Sequence, residues 1–270
     1  MVEYYKLDKI CVVGETYTLP PDRFFIIRKI GTNATSATWL KIDGVDTGPI
    51  ISDIAPLHTT TSNLLGPLEL GDLYYVVPPN KKFWVQGPSG AKVRIIGEIG
   101  KLAPGESIPA TFASRFDSQG KIYKTYVTGS GTLASAGGSW AAGAETEVLS
   151  LTPKTIERYL FNDVVMALLS NNATTVTEGM VAVRFFLDGY PLDLLTTDAG
   201  RLGIDLFSMP KPPAGTTEME PFTLADRPIE VLGDHTLSVR FDNTSGSAIN
   251  ASSSAAMTGS VWLIGIYQKG

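Results

Sequence analysis

The chain is short of nearly everything that marks chemistry. It has one cysteine, Cys11, so no intrachain disulfide can form, and a lone thiol in the apolar run Ile10–Val13 is expected to be a small buried hydrophobe. Its two histidines, His58 and His235, lie far apart in sequence, so the cluster of histidines with a carboxylate that holds a metal is missing. His235 falls in the turn Gly233–Thr236, where an exposed structural role is expected. There is no G-x-S-x-G elbow, no H-E-x-x-H, no P-loop and no G-x-G-x-x-G. These gaps predict a protein that is not an enzyme and takes no cofactor.

Charge is also sparse, at 18% of residues, with a formal balance of −5. Lys and Arg number 11 against 10 Asp and Glu over residues 1–104, and 11 against 17 over 105–270. A near-neutral first part and a mildly acidic second part exclude a nucleic-acid partner as the expectation, because such binding needs clustered cations. The adjacent basic pair in Lys81-Lys82-Phe83-Trp84 reads as the exposed start of a strand. No apolar run approaches about 18 residues, and MVEYYKLDK has no signal-like apolar core, so neither a membrane span nor classical secretion is expected. The four Asn-x-Ser/Thr sequons, at Asn33, Asn172, Asn243 and Asn250, are then turn chemistry rather than glycan acceptors.

What is present is the material of β-structure. With 27 Gly, 17 Pro and 43% hydrophobic residues, the chain is poor in helix formers yet rich enough to fold, and the expected class is all-β. Two stretches echo one another. Ile26–Ile50 and Val164–Leu195 each run apolar segment, Asn-Ala-Thr, apolar segment, Asp-Gly, and the Asp-Gly pairs (Asp43-Gly44, Asp188-Gly189) predict tight hairpin turns. Pro78–Ile95 aligns without a gap on Leu224–Phe241 at an offset of 146, setting Phe83 against Ile229, Val85 against Val231 and Val93 against Val239. Glu15–Leu19 and Glu147–Leu151 extend the echo. A tandem duplication follows, with a boundary in the Pro/Gly-punctuated segment Lys101–Pro109 and β-sandwiches at 1–104 and 105–270.

Taken in order, residues 1–9 look like an arm, followed by strands near Ile10–Leu19, Phe24–Ile30, Thr38–Ile42, Asp72–Val77, Phe83–Gln86 and Ala91–Ile99, close to the roughly seven of a small antiparallel sandwich. Ile50–Leu70 and Leu195–Phe222 are long excursions at equivalent places. In the second part strands are expected at Lys121–Val127, Val164–Ser170, Met180–Leu187, Thr236–Phe241 and Val261–Tyr267. Thr155–Asn171 has helical spacing, but the repeat assigns Val164–Ser170 to strand, with room for a short helical turn before it. Thr128–Ala144 and Thr244–Gly259, made of small residues, are expected as loops held by neighbours. Val261–Tyr267 is apolar on both faces, so it is central to its sheet or covered by another subunit.

Two weaker signals remain. The carboxylates at Asp43–Asp46 and Asp188–Asp193 could hold calcium, but neither matches a full loop motif, and plain turns are favoured. Aromatics could stack on sugars, although adjacent pairs point to opposite faces of a strand. The candidate contact residues are Tyr4, Tyr5, Trp140 and Trp262.

Two tandem antiparallel units with long loops in equivalent places resemble the double jelly-roll proteins of viral capsids, vertices and appendages. The tail Leu237–Tyr267, LSVRFDNTSGSA leading through a Ser/Ala loop to a closing apolar strand, resembles the last strands of jelly-roll domains in phage and archaeal-virus structural proteins. The resemblance implies a virion subunit, assembled in the host cytoplasm with copies of itself or with other virion proteins. The alternative expectation is a β-sandwich module that recognises a carbohydrate or cell-surface receptor, itself part of a spike.

Overall fold

The structure, a computed structural model, describes residues 2–58, 66–169, 174–192, 203–208, 221–224 and 226–270. It divides into two compact units: the chain up to Thr125 with Tyr267–Lys269, and most of the chain from Tyr126 onward. Residues 105–125 thus cluster with the first unit, beyond the Lys101–Pro109 segment expected as the boundary.

The first unit holds β1 (Glu3–Val12), β2 (Thr16–Thr18), β3 (Arg23–Thr32), β4 (Trp39–Ile42), β5 (Leu68–Glu69), β6 (Tyr75–Val77), β7 (Lys82–Gln86), β8 (Lys92–Lys101) and a helix, α1 (Ala110–Ser118). One sheet runs β1-β8-β3, with β5 and β6 both on the far side of β3; the other runs β2-β7-β4. All pairings are antiparallel. The sheets close over a shared core in which Leu7, Ile27 and Val93 from one meet Leu40, Phe83 and Val85 from the other. Phe25 and Phe83 touch across that core with ring centroids 5.7 Å apart.

Residues 1–9 are not an arm. Glu3–Lys9 lie wholly within the β1–β8 ladder, because the apolar alternation that buries Cys11 reaches back to Leu7. Strand β3 is buried on both faces, since Phe24 and Ile26, pointing away from the sandwich core, are covered by Phe112 of α1. Phe24 and Phe112 have centroids 5.6 Å apart. No cap bond marks the start of α1 at Pro109, so its existence depends on that covering role.

The second unit holds β9 (Ile122–Ala134), β10 (Ser139–Trp140), β11 (Glu145–Leu151), β12 (Glu157–Leu169), β13 (Val181–Leu187), β14 (Tyr190–Pro191), β15 (Ile204–Asp205), β16 (Phe222–Thr223), β17 (Ile229–Val231), β18 (Leu237–Asn243), β19 (Ile249–Asn250) and β20 (Met257–Lys269). One sheet runs β9-β20-β12, with β16 and β17 on β12; the other runs β11-β18-β13, with β14 and β15 on β13. A Cβ on Gly259 of β20 would lie 3.0 Å from the Phe241 ring of β18, so these sheets too pack face to face.

The two strand orders are one order. Reading β9, β11, β12, β13, β16, β17, β18 and β20 for β1 to β8 converts the first pair of sheets into the second. In the first unit Ile50 bridges to Thr38 at the head of β4, the place that β14 and β15 take beside β13. First strand beside last, last beside third, and second beside next-to-last is the double Greek key of a jelly roll. A shared detail supports the match. A side chain on Gly97 of β8 would collide with the Ile26 carbonyl of β3, and one on Gly265 of β20 with the Leu160 carbonyl of β12.

The same order corrects half of the sequence alignment. The offset of 146 set β8 against β18 and β7 against β17, whereas the topology sets β7 against β18 and β8 against β20. Thr128–Ala144 is also not a loop throughout, for β9 runs on to Ala134. Gly129 and Gly131 suit a strand there, because any Cβ would meet the Val148 and Glu147 carbonyls of β11. Likewise β20 begins at Met257, inside the expected loop Thr244–Gly259.

Candidate interaction surfaces

The sequence-predicted contact residues part company in the structure. Tyr4 and Tyr5 stand on β1, 49% and 52% exposed, and face opposite sides of the sheet. Tyr4 lies edge-on to Phe24 at 6.3 Å, and the Tyr5 hydroxyl donates to Glu3 at 2.7 Å. Trp140 is buried at 2% exposure in the short β10–β19 pair, and Trp262 is half-buried on the interior strand β20. An exposed aromatic that the sequence did not single out is Tyr190, 76% exposed, next to the Asp188-Gly189 turn.

That turn is a two-residue hairpin with φ +52° at Asp188 and +83° at Gly189, closing the pair Leu187↔Tyr190. The Asp188 carboxylate meets His235 Nδ1 at 2.6 Å and accepts from the Thr236 amide at 2.8 Å. Those two hydrogen bonds, with the imidazole first, hold its carboxyl below the usual carboxylate range. Among the described residues no hydroxyl or thiol is bonded to the other nitrogen of His235, and the pair fastens two turns together. Sequence reasoning missed it, since pairing of β13 with β18 was hidden by the slipped alignment. At the matching turn of the first unit Asp46 binds Lys41 Nζ at 2.6 Å. Among the described residues no group of three His, Cys, Asp or Glu side chains is placed to hold a metal. Asp193, part of the second calcium candidate, lies outside the described residues.

The outward face of β11-β18-β13 carries a charged lattice. The guanidinium groups of Arg240 and Arg184 lie 4.4 and 5.1 Å from the Phe186 ring, and both contact Glu145. Glu147 accepts from Ser238 at 2.5 Å. Two arginines thereby cover Phe186, leaving it 6% exposed, so this aromatic is not a platform for a ligand ring.

Of the sequon asparagines, Asn33 and Asn243 hold turns, whereas Asn250 lies on strand β19. Asn33 accepts from the Lys92 amide at 2.7 Å, Asn250 from Ser139 at 2.6 Å, and Asn243 is fully buried, donating to the carbonyls of Trp140, Ala141 and Ser247 at 2.9 to 3.0 Å. Asn172 lies outside the described residues.

Fold and surfaces together define an all-β protein of two jelly-roll units. No protein-family model matches the chain, and no curated protein matches it. Among solved structures, it is similar to a crystal structure of BuGH86wt in complex with neoagarooctaose, with TM-score 0.23, 8% identity, and coverage of 94% of this chain and 34% of that one. It is also similar to the structure of infectious bursal disease virus Gt strain, with TM-score 0.20, 11% identity, and coverage of 100% and 77%. The chain spans about a third of the length of the first. At these TM-scores neither likeness carries weight, and the fold rests on strand order. Among the described residues no helix is long and apolar enough to cross a membrane.

Proposed function

We propose that the chain is a structural subunit of a virion, a capsid, vertex or appendage protein that works through protein contacts rather than catalysis. The observation that carries this proposal is the shared eight-strand order of the two units, which gives one chain two copies of a fold used to build shells. The polar groups that could have formed a reactive site support it, since Asp188, His235, Glu145 and Arg240 bind one another within structural pairs. Its partners are then copies of itself and other virion proteins, and its place is the particle. Electron microscopy and mass spectrometry of native particles test this: the chain is expected in fixed stoichiometry within a regular assembly. Recovery only as free protein, with particles lacking it, overturns the proposal.

A second role is favoured by Tyr190, which stands exposed at a hairpin tip where a receptor or glycan could stack. A glycan panel read by saturation-transfer NMR should then show contact at Tyr190 that Tyr190→Ala abolishes, and a flat response removes this role.

A further inference from the structure

Strand edges are where β-sheets recruit partners, because the outer row of amides and carbonyls is unpaired. In the first unit two such edges are closed. The Gln119 side chain, buried behind β6, accepts from the Val76 amide and donates to its carbonyl, both at 2.7 Å, standing in for a neighbouring strand. The head of β4 is closed by the Thr38–Ile50 bridge. Strand β1 is different. It is ten residues long, pairs with β8 from Glu3 to Val12 without a register shift, and contains neither proline nor bulge. The odd residues face β8, since the Val13 amide bonds Ala91 on that side while the Val12 amide turns out toward the Tyr17 hydroxyl. The amides of Tyr4, Lys6, Asp8 and Ile10 therefore point away from the sheet, and no described residue bonds them.

We propose that β1 is a self-pairing edge, docking antiparallel on β1 of a second copy to make a two-fold dimer with one continuous sheet. The register is fixed by charge. With Leu7 on the two-fold axis, Lys6 faces Asp8 of the other copy and Asp8 faces Lys6, while the exposed apolar side chains of Tyr4 (49%) and Ile10 (50%) face each other. Shifting by one step either way sets Lys6 against its own copy, or Asp8 against its own copy, and like charges directly opposite are destabilising. Slips that pair odd with even positions break the outward hydrogen bonds and flip the faces. The pairs 4–10 and 6–8 are the positions whose amides point outward, so each exchanges two backbone hydrogen bonds with its opposite number. Asp8 is already oriented for this by Arg94, which binds it through Nε at 2.9 Å and Nη2 at 2.6 Å. A strand that carries its own complement needs no other partner, and the isologous contact closes at two copies.

This inference rests on the self-assembly part of the proposed function but not on a virion. Its test is amide hydrogen exchange of the full chain at residue resolution, from dilute to concentrated solution, alongside sedimentation. Association is expected, with the amides of Lys6, Asp8 and Ile10 gaining at least roughly tenfold protection as dimer forms, while Leu7 and Lys9 are protected throughout. Lys6→Asp and Asp8→Lys should each weaken association by roughly tenfold or more, and an equimolar mixture should restore it, because both cross-pairs are then complementary again. Association without protection of these amides places the interface elsewhere; it overturns the β1 dimer and leaves self-assembly standing. A chain that stays monomeric at every concentration overturns the dimer outright, and the particle experiment then judges the virion proposal separately. Should Asp8→Lys fail to fold for want of its bond to Arg94, the exchange pattern of the unaltered protein decides.

Discussion

Single residues show how the fold holds its ionisable groups. Cys11 is fully buried on the core face of β1, and burial pushes its thiol up to about 12, so the thiolate needed for reaction is scarce at neutral pH. A thiol-specific disulfide reagent should leave the native protein untouched and label one site once it is unfolded; prompt labelling of the folded chain would show that β1 opens. The sequence already pointed to this burial, because an apolar run around a lone cysteine is the pattern of a core strand. Asp8 gives a pH signature. The Arg94 guanidinium holds its carboxyl below the usual range, so the pair adds stability above the unfolded carboxylate pKa of about 3.9 and loses it as pH falls through the lower folded value. Thermal melts in dilute solution should find Asp8→Asn less stable than the parent at pH 6, with the gap closing in acid. A gap that persists at pH 2 would assign the loss to something other than ionisation.

At the scale of elements, strand placement was legible and neighbourhood was not. Strand β13 lies where Met180–Leu187 was expected, though it is buried on both faces, with Ala182 and Phe186 covered as well as Val183 and Phe185; β12 contains the strand that the repeat demanded from Val164 on but starts earlier, at Glu157; and β20, apolar on both faces, is an interior strand. The alignment slipped because β8 and β18 both read in sequence as half-buried strands with an inward valine and an outward arginine, a pattern that many strands satisfy, although β18 is in fact buried at every position but Arg240. Only strand order separates them, and order depends on long-range pairing that local sequence does not encode. Helix α1 was illegible for a similar reason: its apolar stripe matters only where Phe24 and Tyr74 await it. The residue that ends this helix region has the most specific role. Replacing Gln119 by Ala would leave the Val76 amide and carbonyl buried and unpaired, at a cost of roughly 2–4 kcal/mol. Denaturant unfolding measures that loss, and a change within error would mean that water replaces the side chain.

For the whole molecule, one topology used twice implies two cores, and cores that share a plan need not share a fate. The first is built around Phe25, Phe83 and Ile27, the second around Phe241, Val239 and Val183. Each unit is large enough to unfold cooperatively. Calorimetry is therefore expected to resolve two transitions, and two substitutions should address them separately. Gly97→Ala forces a methyl against the Ile26 carbonyl in the first unit, costing roughly 1–3 kcal/mol. Asn243→Ala strips the second unit of the buried amide that gathers the Trp140, Ala141 and Ser247 carbonyls, at roughly 1–3 kcal/mol for each group left unpaired. Each variant should lower one transition and leave the other within error. If both transitions fall together under either substitution, the units are one cooperative body, and the repeat is a matter of strand order rather than of independent stability.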